Sequence, residues 1–262
     1  IVDLHEIKNN NMKCTLKENV NTLDHIFKKS IKNHMISDVP IGVLCSGGID
    51  SSLVFKYMFE RNKKLKMYTK SSPNIETIPQ QIIPKLLNDY PVQSNFIDQD
   101  KTNYLAQAVN FVLHTATPAR WGGGPPMANV CKFAFSQGTK VLLSGDGVDE
   151  SCAGYDTHKV LFDNFDNDIF KLHSILDLDQ DSQFYDKDIL KNFKDEKNYE
   201  RKNILDSLQN IDDNKERFSR AVLFQDVGSF LQSCNLPHSD AYSMMHSVEL
   251  RNPFLDLDLL KF

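Results

Sequence analysis

Ser46-Gly47-Gly48-Ile49-Asp50-Ser51-Ser52 places two glycines, three hydroxyls and one carboxylate in seven consecutive residues. That set suits a phosphate chain. Paired glycines let backbone N–H groups approach a ligand closely, the start of a following helix offers unpaired amides and a positive dipole end, and the hydroxyls add donors. A carboxylate is a poor phosphate contact by itself, so Asp50 makes chemical sense with a Mg²⁺ ion between it and the phosphate oxygens. The stretch lacks the lysine of a G-x-x-x-x-G-K-[ST] loop and is not a Walker loop. A second stretch of the same character is Ser144-Gly145-Asp146-Gly147-Val148-Asp149-Glu150, continuing to Gly154-Tyr155. Its three carboxylates within five residues repel one another unless a cation or a substrate proton relieves them.

Both stretches need buried strands to hold them. Apolar residues 41 to 45 read as a strand, and Leu53, Val54, Tyr57 and Met58 recur at helical spacing just after the first loop. Lys140 to Ser144 reads as the strand that feeds the second loop, with Leu65 to Thr69 and Val92 to Ile97 as two further strands. Helices are expected over Leu16 to Met35, Ile78 to Leu87 with Pro84 as a kink or boundary, Asn103 to Leu113, and Met127 to Phe135. Strands alternating with helices predict an α/β fold: a doubly wound parallel sheet with helices on both faces, its ligand beyond the C-terminal strand ends where the winding reverses. Thr117 to Pro126, with Arg120, Trp121, three glycines and two prolines, reads as a loop with special backbone demands.

No strand is expected from Tyr155 onward. Residues 163 to 216 alternate polar runs with apolar clusters (Ile169, Phe170, Leu172; Ile189, Leu190, Phe193) and read as a helical surface region. Asp177 to Asp181 opens like an EF-hand loop, but Ser182 and Asp188 stand where glycine and glutamate belong, which makes it a solvated loop. Asp240 to Arg251 reads as a helix stopped by Pro253. The expected division is a connector and helix over 1–35, the α/β core over 36–158, and a C-terminal helical region over 159–262.

Composition narrows the class. The chain of 262 residues is 40% apolar and 25% charged with a formal charge of −5, the profile of a globular protein without a dedicated nucleic-acid surface. It has no apolar run long enough to span a membrane and no signal-peptide pattern at Ile1 to His5, so the expectation is a cytoplasmic protein. Five cysteines without C-x-x-C spacing indicate neither a disulfide framework nor a zinc site, and the eight histidines show no metal-ligand spacing.

Ser46-Gly47-Gly48-Ile49-Asp50-Ser51 resembles the S-G-G-x-D-S pyrophosphate loop of the PP-loop ATP pyrophosphatases. The second loop resembles the S-G-E-G-x-D-E-x-x-x-G-Y segment of asparagine synthetases, seven positions matching and Asp146 replacing the glutamate. A third likeness covers Asp226 to Leu231 and Asp240 to Asp256, where Ala241 stands in place of the family's arginine. Together they run from about residue 36 to 260. The resemblance implies ATP and Mg²⁺: Ser46, Gly47, Gly48, Asp50 and Ser51 at the pyrophosphate, the backbone near Cys45, Lys70 and Ser144-Gly145 along the nucleoside, and Asp50 and Asp149 as Mg²⁺ ligands. It implies a substrate carboxylate that attacks the α-phosphorus to give an acyl adenylate, from which ammonia or an amine displaces AMP, with Asp146 taking the amine proton. Glu150 is expected to support the loop.

The family's glutaminase half has no counterpart in this chain, so a separate glutaminase subunit is one expected partner. The chain stops soon after Asp256, before the segment whose lysine stabilises the family's adenylation transition state. That leaves a fragment, a charge supplied by another group or subunit, or impaired activity. In the Thr117–Pro126 loop, glycines fall where the family's hydroxyl residues lie near its acceptor, which points away from aspartate. Three outcomes stay within the ligase class: amidation of aspartate, amidation of another carboxylate, and intramolecular closure as in β-lactam or lasso-peptide cyclases. The alternatives are a tRNA- or sulfur-modifying PP-loop enzyme and a nucleotide-binding partner subunit without turnover. No nucleic-acid or membrane partner is expected, and a homo-oligomer is left open.

Overall fold

Short strands of alternating facing make the frame. The computed structural model describes residues 14–71, 78–98, 101–119, 122–163 and 186–262. β1 (Ile41–Leu44), β2 (Lys66–Ser71), β3 (Gln93–Asp98), β4 (Val141–Leu143) and β5 (Glu249–Arg251) form one sheet in the order β3-β2-β1-β4-β5. Every pairing is parallel. From β1 the chain moves outward through β2 and β3, then returns to add β4 and β5 on the other side, so the winding reverses between β1 and β4. The two glycine loops leave those two strands, the location expected of a ligand site in such sheets.

Side-chain alternation divides the core between the two faces. Val43, Met67, Val141 and Leu143 pack with Phe27 and Ile31 of α1 (Leu16–His34), Val54, Phe55 and Met58 of α2 (Ile49–Arg61), and Ile83 of α3 (Ile78–Asp89). Tyr68 and Leu142 point the other way, to Phe111 of α4 (Lys101–Thr115), Met127, Val130 and Cys131 of α5 (Gly124–Ser136), and Tyr242 of α10 (Leu236–Met244). Burying each such side chain contributes about 1.5–3 kcal/mol. α1 starts at a capping box, Thr15 accepting from the Glu18 N–H while the Glu18 carboxylate accepts from the Thr15 N–H. Only the C-terminal half of its apolar stripe, Phe27 and Ile31, is buried; Val20 and Leu23 are exposed.

The four expected strands and the helices expected before Tyr155 are present, with ends shifted by up to three residues, and two of the shifts have a plain physical cause. α3 runs through Pro84 to Asp89 without ending there; an internal proline removes one i→i−4 bond, and the buried Ile83 beside it holds the turn. α5 begins at Gly124 rather than Met127, because the two prolines occupy its first turn, where a missing N–H costs nothing.

β5 overturns the expectation that no strand follows Tyr155. The segment read as one helix to Pro253 is instead α10 (Leu236–Met244), a turn at Ser247 with φ 55°, and a strand beside β4. Arg251 anchors that strand. Its Nη1 donates to the carbonyls of His34 (2.8 Å) and Ile36 (2.7 Å), and its Nε to the Glu249 carboxylate (2.7 Å), tying the C-terminal end of α1 to the sheet edge. Arg251→Ala is expected to cost about 2–3 kcal/mol, read as a lower urea midpoint at unchanged m-value, since two carbonyls lose a charged donor. Arg251→Lys should recover less than half of it, because a point charge cannot fork to several acceptors.

The described residues divide into two units: those of Asn11–Val148 with Cys234–Phe262, which hold the sheet, and those of Asp149–Ser233. The second unit is helical. α6 (Val148–Cys152) leads into it, followed by α7 (Asp156–Asp163), α8 (Lys187–Ser207), α9 (Asn214–Gln225) and a π-helical stretch over Asp226–Asn235. Its core joins Leu208 and Ile211 to Phe218, Ala221 and Val222. His158, fully buried, bonds through Nε2 to Asp226 at 2.6 Å, and burial pushes that carboxyl up. The EF-hand-like stretch, the cluster around Ile169 and Leu172, and Arg120 with Trp121 lie outside the described residues. Among the described residues no helix is long and apolar enough to cross a membrane.

Candidate active site

The first loop holds its own shape before any ligand is considered. Cys45 continues β1 by donating its N–H to the Tyr68 carbonyl (2.9 Å), and its thiol is buried and pushed up by that burial. Gly47 then turns the chain with φ 79°, a conformation that L side chains rarely adopt. The Ser51 hydroxyl accepts from the Ser46 N–H (3.1 Å), lies 3.1 Å from Ser46 Oγ and can donate to the Gly48 carbonyl (3.3 Å). Ser51 therefore ties the loop from inside, and what the loop leaves outward is backbone. Ser51→Ala is expected to destabilise the fold by about 1–2 kcal/mol, since the Ser46 N–H loses its acceptor.

Gly48 stands at the N-cap of α2, and its lack of a side chain leaves the first turn without a side-chain cap. The N–H groups of Ile49, Asp50 and Ser51 thus stand at an uncapped helix N-terminus, the arrangement that binds phosphates elsewhere. Asp50 sits in that turn, partly buried, and burial pushes its carboxyl up. No salt bridge reaches it among the described residues, so nothing of opposite charge offsets its desolvation there. An anion seat beside a carboxylate that is desolvated and eased only by a backbone hydrogen bond is the donor set that a magnesium–phosphate group fits. Among the described residues no three His, Cys, Asp or Glu gather into a metal cluster; a magnesium that keeps phosphate and water ligands requires only one or two carboxylates.

The second loop is tethered through residues of β5 and its exit. Ser144 donates its N–H to the Arg251 carbonyl (2.9 Å) and its hydroxyl to Asn252 Oδ1 (2.7 Å), and the same hydroxyl accepts from the Asp146 N–H (3.2 Å). Ser144 is fully buried and holds Asp146 in place. Gly145 brings the loops together: a Cβ added to it would fall 2.9 Å from Ser51 N and 3.1 Å from Asp50 Cβ. Ser46 to Ser51 and Ser144 to Asp146 are therefore neighbours in the sheet-bearing unit. Lys70 is exposed near the C-terminal end of β2, two residues beyond the Tyr68 that receives the Cys45 N–H.

Asp149 and Glu150 belong to the helical unit. The Asp149 carboxylate lies over the backbone of Gly154, where a Cβ would come within 1.9 Å of its oxygen. Glu150 is fully buried and accepts the Tyr155 hydroxyl at 2.7 Å, the supporting role expected of it. Asn252 was not singled out from the sequence. Its signal was weak, a polar residue before a proline, and its importance appears only once β5 is known to lie beside β4.

Over residues 22–262 the chain matches the family model described as asparagine synthase. It is 30% identical over 145 residues to an asparagine synthetase [glutamine-hydrolyzing] of Lotus japonicus, covering 51% of this chain and 24% of that protein. It is 27% identical over 160 residues to asparagine synthetase B [glutamine-hydrolyzing] of Escherichia coli, covering 53% and 28%. The Zea mays asparagine synthetase [glutamine-hydrolyzing] gives 27% over 146 residues, 51% and 24%. The matched stretch spans about a quarter of the length of each of these relatives.

Proposed function

We propose, from the premise that this chain belongs to the asparagine synthase family, that it is an ATP-dependent, AMP-forming ligase that converts a carboxylate to an amide. The observation that carries the proposal is the approach of Gly145 to Asp50 and Ser51, which sets two glycine loops at the reversal point of the sheet. In this reading the uncapped amides of Ile49 to Ser51, with the backbone of Gly47 and Gly48, receive the β- and γ-phosphates of ATP. Asp50 would hold Mg²⁺, which offsets the charge that builds on the departing pyrophosphate. The backbone near Cys45, Ser144 and Gly145, together with Lys70, lines the nucleoside.

A substrate carboxylate oxygen attacks the α-phosphorus as the bond to pyrophosphate breaks. Ammonia or an amine, from solution or from a separate glutaminase, then attacks the acyl carbon and AMP leaves. Asp146 takes the proton that the nitrogen must lose, its backbone fixed by the Ser144 hydroxyl. Incubation with ATP, Mg²⁺, ammonia and a panel of carboxylates tests the proposal. Pyrophosphate and AMP formed in equal amounts, only when one carboxylate is present, is the expected result. ATP binding without turnover on any carboxylate would make the chain a nucleotide-binding subunit instead.

A further inference from the structure

The second loop rests on the chain that leaves β5. β4 and β5 run parallel with Leu143 opposite Arg251, so Ser144 and Asn252 are the next residues beyond the last paired positions of their strands, at the edge where the loops emerge. Asn252 is fixed from both sides. Arg251 before it donates to two carbonyls at the end of α1, and the carbonyl of Pro253 after it accepts the buried Ser30 hydroxyl (2.7 Å). The proline also keeps Asn252 out of the helical region (φ −116°, ψ 86°), and the Asn252 carbonyl accepts the Leu255 N–H (2.9 Å). Its side-chain oxygen is therefore a hydrogen-bond acceptor set in place by the fold.

Residues 252 to 255 support the loop at two points around Asp146. Asn252 Oδ1 receives the Ser144 hydroxyl (2.7 Å), and that hydroxyl accepts the Asp146 N–H (3.2 Å). Leu255 lies against Gly147, where φ is 94° and a Cβ would come within 2.2 Å of Leu255 Cδ2. Gly145, on the other side of Asp146, abuts the first turn of α2 at Asp50 and Ser51. Asp146 stands between these contacts, with one carboxylate oxygen shielded from solvent. A hydroxyl has one proton and two lone pairs, so where its proton goes decides where its lone pairs point. Ser144 is only 2% exposed, and its proton needs an acceptor within the protein. With the proton on Asn252 Oδ1, a lone pair is left for the Asp146 N–H. Without that acceptor the hydroxyl is free to rotate, and the Asp146 N–H loses its fixed partner.

We infer that Asn252 is a positioning residue for the amide-forming step: it takes the Ser144 proton, turns the hydroxyl's lone pair to the Asp146 N–H, and so fixes the base that receives the proton of the attacking nitrogen. The inference rests on the ligase reading above and adds to it a residue that acts through Ser144. Adenylation makes no use of Asp146 in that reading, so Asn252 serves the second half-reaction. Replacing its side chain leaves the Ser144 N–H on the Arg251 carbonyl (2.9 Å), which keeps the backbone along the nucleoside in place.

Timing the two half-reactions separately tests it. The wild-type chain mixed with ATP, Mg²⁺ and the carboxylate that supports turnover should release a burst of pyrophosphate without ammonia, and ammonia added afterwards should yield amide. Asn252→Leu should keep the burst rate within about threefold and form amide about thirtyfold more slowly. Water then takes most of the adenylate, returning carboxylate and AMP, so pyrophosphate should exceed amide at least about fivefold. Asn252→Asp still offers Ser144 an acceptor and should restore amide formation to within about threefold of wild type. On a Ser144→Ala background, Asn252→Leu should lower amide formation no further. Deuterium exchange at the Asp146 N–H should be at least about tenfold faster in Asn252→Leu and unchanged in Asn252→Asp. Burst and amide rates that fall in parallel would make Asn252 a residue of the fold alone. An aspartate as poor as leucine would overturn the acceptor role, and a further loss on the Ser144→Ala background would overturn the route through Ser144. A wild-type chain with no burst on any carboxylate fails the ligase reading itself, whereas a normal burst with normal amide formation in Asn252→Leu fails this inference alone.

Discussion

Gly145→Ala should reduce ATP-dependent pyrophosphate release at least a hundredfold while costing only about 1–3 kcal/mol of stability. The added methyl would meet Ser51 N at 2.9 Å, Asp50 Cβ at 3.1 Å and the Asp50 carbonyl carbon at 3.2 Å. Two of those three atoms are backbone in the first turn of α2, which cannot rotate away as a flexible side chain would. Relief must come from the other partner, by moving the Ser144–Asp146 segment outward. That segment is tied through Ser144 to Arg251 and Asn252, so the shift strains its tether or displaces Asp146. A displacement near 1 Å between groups that act on one substrate costs about two orders of magnitude in rate. Gly228→Ala is the matched control, since a methyl there meets nothing within 4 Å; it should retain full turnover. Gly145→Ala with more than half of the wild-type rate would show that the two loops do not act together.

What could be read beforehand follows from the range over which each feature is determined. β1 and β4 were legible as short apolar runs beside turn residues, and β2 and β3 as short segments that place Met67 and Tyr68, or Phe96 and Ile97, among polar residues between helices. The phosphate loop was legible because Gly47, Gly48 and Asp50 carry their meaning within a few residues. β5 was not. Three residues cannot display a period, and Glu249-Leu250-Arg251 becomes a strand by pairing with Val141 to Leu143, more than a hundred residues earlier. The consequences of that pairing were equally hidden: Asn252 as the acceptor of Ser144, and Arg251 as the tie to α1. The roles of the serines changed for a related reason. Sequence offers hydroxyls as donors to a ligand, but Ser51 and Ser144 are buried and spend theirs on the loops, leaving backbone and Asp50 to face outward.

Those internal ties sharpen the expectation for Asp50. With Ser46 and Ser51 engaged in loop geometry, Asp50 is the charged group that the first loop presents, and Asp50→Asn should lower turnover about a thousandfold, equivalent to roughly 4 kcal/mol in the transition state. Asparagine matches the carboxylate in shape, so the loop should persist. Stability should move the other way. Burial disfavours the ionised carboxyl and no salt bridge offsets it among the described residues, so a neutral isostere relieves a cost and the metal-free melting temperature should stay level or rise. The two readouts together identify the role. A residue that serves the fold loses stability and activity in parallel, whereas one that holds a cation loses activity alone. Nucleotide binding measured without Mg²⁺ should change less than threefold, because the amides of Ile49 to Ser51 remain; the tightening that Mg²⁺ adds in the wild-type chain should be largely lost. Turnover within threefold of wild type at saturating ATP and Mg²⁺ would remove Asp50 from the metal site.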